Sequence, residues 1–368
     1  MIYGERVRQA RELHRMTQSR LVDNVLDLTQ PRLSRIEQGR NVVQVDDLLA
    51  AQLAAATGVT VDWLARPPAP ELAGLSPHFR ARSRTTETTK ASGMAWAELV
   101  NEVFVVLGDR TRPMPVLLER LGNEDARLAA RKVRRSLGFG PLEPLPYLLV
   151  AVERLGVRLL GLPWREDTID AFCAWAGRTP TVALSADVPG DRRRWNVAHE
   201  LGHLVLHEPH QQGKDIEAQA DAFAAELLTP LDALRMQMPA HPTLRTLTML
   251  KSQWGVSVKS LVRRAKELGV VDDARATGLY RQISARGWNK AEPGYVPQEK
   301  PRALRKMLEI ATGRSDGETL AREMRWSQEL ADLVLDQHAR ADELPMREDS
   351  RPDAVGNVFA LRPRRASG

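Results

Sequence analysis

The chain has 368 residues, room for two or three domains. Hydrophobic residues make up 43%, enough for packed cores, and the net charge of +6 leans toward an acidic partner such as nucleic acid. One cysteine, Cys173, excludes an internal disulfide; no apolar signal core opens the chain and no run of eighteen apolar residues exists, so a cytoplasmic chain with no membrane contact is expected.

Residues 5–15 read as a helix with Val7, Ala10, Arg11 and Leu13 near one face. Thr17-Gln18 caps a second helix carrying Leu21, Val22 and Val25. Thr29-Gln30 caps a third with Leu33 and Ile36 inward, and Gly39 is expected to end it in the left-handed conformation. Short helices around 45–56 and 60–65 follow. Five capped helices in 66 residues fit a helix-turn-helix bundle.

The run Thr29-Gln30-Pro31-Arg32-Leu33-Ser34-Arg35-Ile36-Glu37-Gln38-Gly39-Arg40 resembles the Xre/Cro-type DNA-binding domain. So do Thr17-Gln18 and Gly58-Val59-Thr60-Val61-Asp62-Trp63-Leu64, and the likeness covers residues 1–66. It implies that Gln30, Pro31, Arg32 and Arg35 face the major groove of double-stranded DNA. Gln18, Gln38 and Arg40 would contact phosphates, and Arg11 and Glu37 would form a buried ion pair. Two departures are the glycine-free turn 24–28 and Val22, where the family favours alanine. A bundle kept for dimerisation or protein contact is the alternative.

Arg66-Pro67-Pro68-Ala69-Pro70 reads as a stiff linker, and residues 80–92 as an Arg/Thr-rich loop. Residues 94–107 form an amphipathic helix that either bridges domains or pairs with its copy in a homodimer. Residues 67–124 are accordingly taken as linker and helix. The basic helix 124–137 reads as a solvated face. A helix over 144–155, a strand at 157–160 and a hairpin of 171–175 with 181–185 follow, and Cys173 is expected to be a small buried hydrophobe.

The stretch Asn196-Val197-Ala198-His199-Glu200-Leu201-Gly202-His203 contains His-Glu-x-x-His. On a helix, residues four apart share a face, so His199 and His203 can aim at one zinc ion (Zn2+) and Glu200 can act as general base. A third ligand should follow. Glu217 and Asp221 are again four apart; one can bind metal while the other fixes a ligand imidazole, and we assign Glu217 to the metal and Asp221 to the imidazole. Glu226 is about 13 Å further along that helix, too far to share the ion. His207 is about 12 Å beyond His199 and reads as a packed or capping histidine. Gly202 would let a second backbone close in.

From His199 through His207, and from Glu217 through Pro230, these residues resemble the ImmA/IrrE family of metallopeptidases. The likeness continues into Trp254-Gly255-Val256-Ser257 and spans roughly residues 125–270. It implies a small gluzincin-like α+β domain whose best-understood relatives cut a Cro-type repressor, and it makes the helices at 244–250 and 257–268 its helical end. Further helices are expected at 301–312, 316–324 and 327–340, within a helical region 271–343, before a disordered tail at 344–368.

The expected fold is therefore mainly α and multidomain, with one small sheet beside the metal helix. The expected function is a DNA-binding regulator carrying a zinc-dependent endopeptidase, with a Cro-type repressor or related protein as substrate. Two alternatives are a transcription factor whose metallo-domain senses a ligand or metal, and a toxin–antitoxin or immunity interaction protein. An intact Glu200 favours catalysis, because a sensor could bind zinc without it.

Overall fold

The structure, a computed structural model, describes residues 1–39, 42–69, 78–79, 85–112, 114–164, 169–208, 211 and 213–340. Arg40 and the tail at 344–368 lie outside the described residues, as do residues 80–84 of the loop expected at 80–92.

The chain opens with β1 (Ile2–Tyr3), then α1 (Gly4–Leu13), α2 (Gln18–Asp23) and α3 (Gln30–Gln38). β2 (Val42–Val43), antiparallel to β1, leads to α4 (Asp47–Ala56) and α5 (Val61–Leu64). Thr17, Asp46 and Thr60 cap α2, α4 and α5 by accepting from backbone N–H groups. Three local expectations change. Thr29 precedes α3 but its side chain makes no cap bond, and Pro31 in the first turn removes one donor that would need it. Gly39 has φ −64°, not a left-handed angle, because the chain leaves α3 extended toward the β1–β2 pair. Helix α2 stops at Asp23, so Val25 is buried from the turn instead of the helix.

After β3 (His78–Phe79), α6 (Glu87–Gly108) begins seven residues before the expected 94. Residues 87–92 are helical because Thr86 caps the helix, accepting from the Thr89 N–H at 3.2 Å. The next elements are α7 (Ala126–Ser136), α8 (Leu148–Arg154), β4 (Arg158–Gly161), β5 (Ala171–Ala176) and β6 (Thr179–Leu184). They lead to α9 (Gly190–Leu206), α10 (Lys214–Leu228) and α11 (Leu231–Gln237). Last come α12 (Leu244–Trp254), α13 (Val258–Glu267), α14 (Asp273–Ala285), α15 (Ala303–Thr312), α16 (Gly317–Met324) and α17 (Gln328–Leu335). Helix α14 falls within the helical region expected at 271–343, although no separate helix was expected there, and α17 ends at 335 rather than 340.

The sheet order is β3-β5-β6-β4; only β4 and β6 run parallel. Alternate residues of its strands face opposite ways, as the two-residue period requires. Leu159, Ala171, Cys173, Val182 and Leu184 enter a core shared with α7 to α14. Leu160, Phe172, Ala176 and Ala183 enter a second core shared with α1 to α6 and α15 to α17. The sheet is thus a wall between two cores, and the C-terminal helices close the same core as the N-terminal bundle.

Buried ions hold the bundle to α6. Arg6 makes a two-pronged pair with Glu102, both bonds 2.7 Å, and its guanidinium stacks 4.6 Å from the Trp63 ring. Arg6 also donates to the carbonyls of Arg66 and Pro67, which pins the start of the linker. Among the described residues no helix is long and apolar enough to cross a membrane.

Candidate metal centre

Helix α9 carries the His-Glu-x-x-His run. Its first turns are anchored by buried arginines: Arg193 donates to Ser185 O at 2.7 Å, and Arg194 reaches Glu299, Leu145 O and Gly255 O. Gly255 adopts φ 65° and ends α12; a Cβ there would lie 2.7 Å from Arg194 Nε. Helix α10 packs across α9 at Gly202, where an added Cβ would lie 3.2 Å from Ala220 Cα and from Phe223 Cβ. That close approach brings Glu217, in the first turn of α10, over the two histidines, as expected of Gly202.

His199 Nε2 and His203 Nε2 lie 3.1 Å apart. Glu217 places its two carboxylate oxygens 3.3 Å and 3.4 Å from them. The three ligand atoms lie within 4.8 Å of one another, a group that could hold a metal ion. Both imidazoles are fully buried, whereas Glu217 is about half exposed, so the cluster opens on its side.

The outer nitrogens determine what the inner ones offer. His199 Nδ1 lies 3.0 Å from Asp221 Oδ1. A carboxylate only accepts, so Nδ1 carries the proton and Nε2 keeps its lone pair. His203 Nδ1 lies 3.0 Å from His207 Nδ1, and His207 Nε2 lies 3.1 Å from Gln219 Oε1. Protons pointing from His203 to His207 and from His207 to Gln219 satisfy all four atoms. They leave His203 Nε2 with its lone pair as well. Two lone pairs and a carboxylate converging on one point suit a cation.

Glu200 is 1% exposed, and its Oε2 has no hydrogen-bond partner among the described residues. Such a group is costly unless a ligand or water uses it. Cys173 lies behind it on β5: burial first, then the Glu200 and Glu217 charges, push its thiol pKa well up, so it stays protonated. Arg263 reaches the second Asp221 oxygen at 3.5 Å. His207 stands just past the end of α9 with extended backbone and is 5% exposed. Its role as partner of His203 was not visible in spacing alone. Glu226 is fully buried against Arg264 and Arg131, at 2.6 Å and 2.9 Å, away from the metal group.

The positions expected to meet DNA fall on α2 and α3. Gln30, Pro31, Arg32, Arg35 and Gln38 are exposed along α3. Gln18 is half-buried, donating to Glu37 at 2.8 Å, and Glu37 also receives Arg11 through two bonds of 2.7 Å and 2.9 Å. The Arg11–Glu37 pair thus stands where it was expected.

Residues 152–266 match the peptidase family model described as the IrrE N-terminal-like domain. The match holds β4, β5, β6 and all three ligand candidates, and covers less than half of the chain. No curated protein matches the chain. By geometry and by that likeness, residues 152–266 form a metallopeptidase-like domain similar to the IrrE N-terminal-like family.

Proposed function

We propose that this chain is a DNA-binding transcriptional regulator carrying a zinc-dependent endopeptidase, which cuts a Cro-type repressor or a related protein. The carrying observation is the buried Glu200, with Oε2 unpartnered, beside converging His199, His203 and Glu217. Two imidazoles and one carboxylate are a zinc donor set. Zinc held there would supply Lewis acidity, lowering the pKa of water and polarising a peptide carbonyl. Glu200 takes the proton from the attacking water and passes it to the leaving amine. Asp221 and His207 keep the ligand imidazoles in the required tautomer.

The DNA half rests on the 29–40 signature and on the exposed row Gln30, Pro31, Arg32, Arg35 and Gln38. In this reading the bundle is the address and the peptidase acts in trans on a repressor at the promoter. A sensor that binds metal without cutting is the second reading. A sensor has no use for a buried acid with one carboxylate oxygen left without a partner beside the metal group, and that observation favours the peptidase.

The deciding experiment measures metal content and repressor cleavage for the wild-type chain and Glu200→Gln. The proposal expects about one zinc per chain in both and cleavage only in the wild type. Metal in both, with neither cutting any candidate repressor, would favour the sensor.

A further inference from the structure

Helix α9 has an apolar side and a polar side. Val197, Ala198, Leu201, Leu204 and Val205 point into the core shared with α7 to α14. At 3.6 residues per turn the opposite stripe carries Asn196, His199, Glu200 and His203, all within about 100° of arc. Asn196 is therefore on the metal-facing side, one turn ahead of His199 and Glu200.

Asn196 is 6% exposed, and its Nδ2 has no hydrogen-bond partner among the described residues. Glu200 Oε2 is in the same condition. One is a donor and the other an acceptor. Side chains on a helix lean toward its N-terminus, so the Glu200 carboxylate lies over the turn that holds Asn196. The two groups share one patch of the helix, yet they do not bond to each other. Each is left for a third group.

The fold asks nothing of the Asn196 amide. Arg193 and Arg194 already anchor this turn through Ser185, Glu299, Leu145 and Gly255. Asparagine is a poor helix former, and burying an unbonded amide is destabilising. Leucine would serve both the helix and the interior better.

One small group satisfies both orphans: an oxygen that accepts from Asn196 and carries a proton for Glu200. We propose that Asn196 and Glu200 together hold one ligand oxygen, with Asn196 Nδ2–H donating to it and Glu200 Oε2 accepting from it. On the peptidase reading, on which this role rests, that oxygen belongs to the attacking water, and Asn196 is a further catalytic residue. The water O–H bond breaks toward Glu200, the oxygen bonds to the peptide carbon, and the proton follows to the leaving amine as the C–N bond breaks. Asn196 exchanges no proton. Its N–H steadies the oxygen while that atom carries negative charge, as an oxyanion-hole donor does.

The probe is acetohydroxamic acid, whose hydroxyl offers the same oxygen and proton without a peptide. It is titrated into full-length chain loaded with cobalt(II), whose visible spectrum reports its ligands. Asn196→Leu and Asn196→Ala remove the donor, one keeping the branched shape and the other opening space; Asn196→Ser keeps a donor. Probe affinity is expected to fall about tenfold or more in both donor-less variants and by less in Asn196→Ser, with cobalt content unchanged. At least one donor-less variant should match or exceed the wild-type urea midpoint without metal, because an unbonded buried amide is gone. Lower midpoints for both would assign the amide to the fold and overturn the proposal. Equal probe affinity in wild type and either donor-less variant would overturn it as well. The reaction is tested separately. With a repressor that the wild type cuts, Asn196→Leu should lower kcat about tenfold or more and leave KM unchanged; an unchanged kcat would overturn the catalytic role. A chain that cuts no repressor yet binds the probe through Asn196 would remove the peptidase reading and leave the shared oxygen site standing.

Discussion

His203 is oriented by another histidine: its Nδ1 lies 3.0 Å from His207 Nδ1, and His207 is in turn held by Gln219. His199 instead leans on the Asp221 carboxylate. The two metal-facing nitrogens therefore have unequal supports, one neutral and one anionic.

Removing His207 should loosen His203 while leaving all three ligands in place. His207→Ala is expected to weaken zinc binding about 10–100-fold. His207→Asn, which can still accept from Nδ1–H, should recover part of the loss. Zinc affinity measured against a competing chelator checks this; equal affinities for wild type and His207→Ala would show that His203 needs no such support.

Gly202 links packing to the same site. Alanine normally gains up to about 1 kcal/mol over glycine inside a helix. Here its Cβ would press 3.2 Å from Ala220 Cα and Phe223, and one of these contacts is backbone that cannot rotate away. Helix α10 must then move off α9 and carry Glu217 away from the histidines. Gly202→Ala is expected to lose about 1–3 kcal/mol of stability and to lower zinc affinity as well. Denaturant melts of metal-free protein alongside zinc titrations separate the two effects, and unchanged zinc affinity would show that α10 does not move.

Much of this centre was legible because it is local. His199 and His203 are four apart, as are Glu217 and Asp221, and helical spacing alone places each pair on one face. The edges of the fold were less legible because they depend on distant partners. Helix α6 reads as an amphipathic helix, yet Glu102 in its middle is buried because Arg6 arrives from α1 and Arg66 from beyond α5. The pairing of β3 with β5 carries no alternation signal, since a two-residue strand has no period. Gly39 carries a helix-stop signal, and the β1–β2 pair overrides its conformation.

Glu226 is too far along its helix to share the metal, and it is the buried partner of Arg264. Removing one member of a buried pair leaves the other charged and poorly compensated. Glu226→Ala is expected to destabilise by about 3 kcal/mol, with zinc affinity in the surviving folded fraction unchanged. Equilibrium urea unfolding gives the first number. A change below about 1 kcal/mol would mean that the Thr229 carbonyl and Glu267 are enough for Arg264.

His338 couples the C-terminal helices to the sheet. Its Nδ1–H donates to Val334 O at 2.9 Å, and its Nε2 accepts from Gly161 N–H at 3.2 Å, so it must be neutral. Burial pushes its pKa down to about 4. The unfolded chain binds this proton near pH 6.5, so its contribution is full above that pH and is lost as pH falls toward 4, by about 3 kcal/mol. Glu153, pushed up to about 7 by burial, acts in the opposite sense: it favours the folded state at low pH and loses that contribution as pH rises from about 4.5 to 7. The two are separated by difference. His338→Gln should show a shallower loss of stability between pH 6.5 and 4 than the wild type. Parallel curves would rule out titration of His338 as the cause.

The DNA reading makes its sharpest prediction on α3. Arg35 and Gln38 are both exposed, and each is parked one turn back on its own helix: Arg35 Nε on Pro31 O at 3.3 Å, Gln38 Nε2 on Ser34 Oγ at 3.1 Å. Neither supports the core, so alanine at either should change stability by less than about 0.5 kcal/mol, and any loss of DNA affinity reports a lost contact. Their expected roles differ. In the proposed docking Arg35 would face base edges, so Arg35→Ala should cost about 1–3 kcal/mol on the specific operator and much less on random duplex. Gln38 would contact phosphate, so Gln38→Ala should weaken both duplexes alike. Titrations of both variants on an operator selected with the wild-type chain, at fixed salt, give the four affinities. Equal losses for the two variants on both duplexes would mean that α3 does not lie in the major groove, and the bundle would then be a protein-contact module.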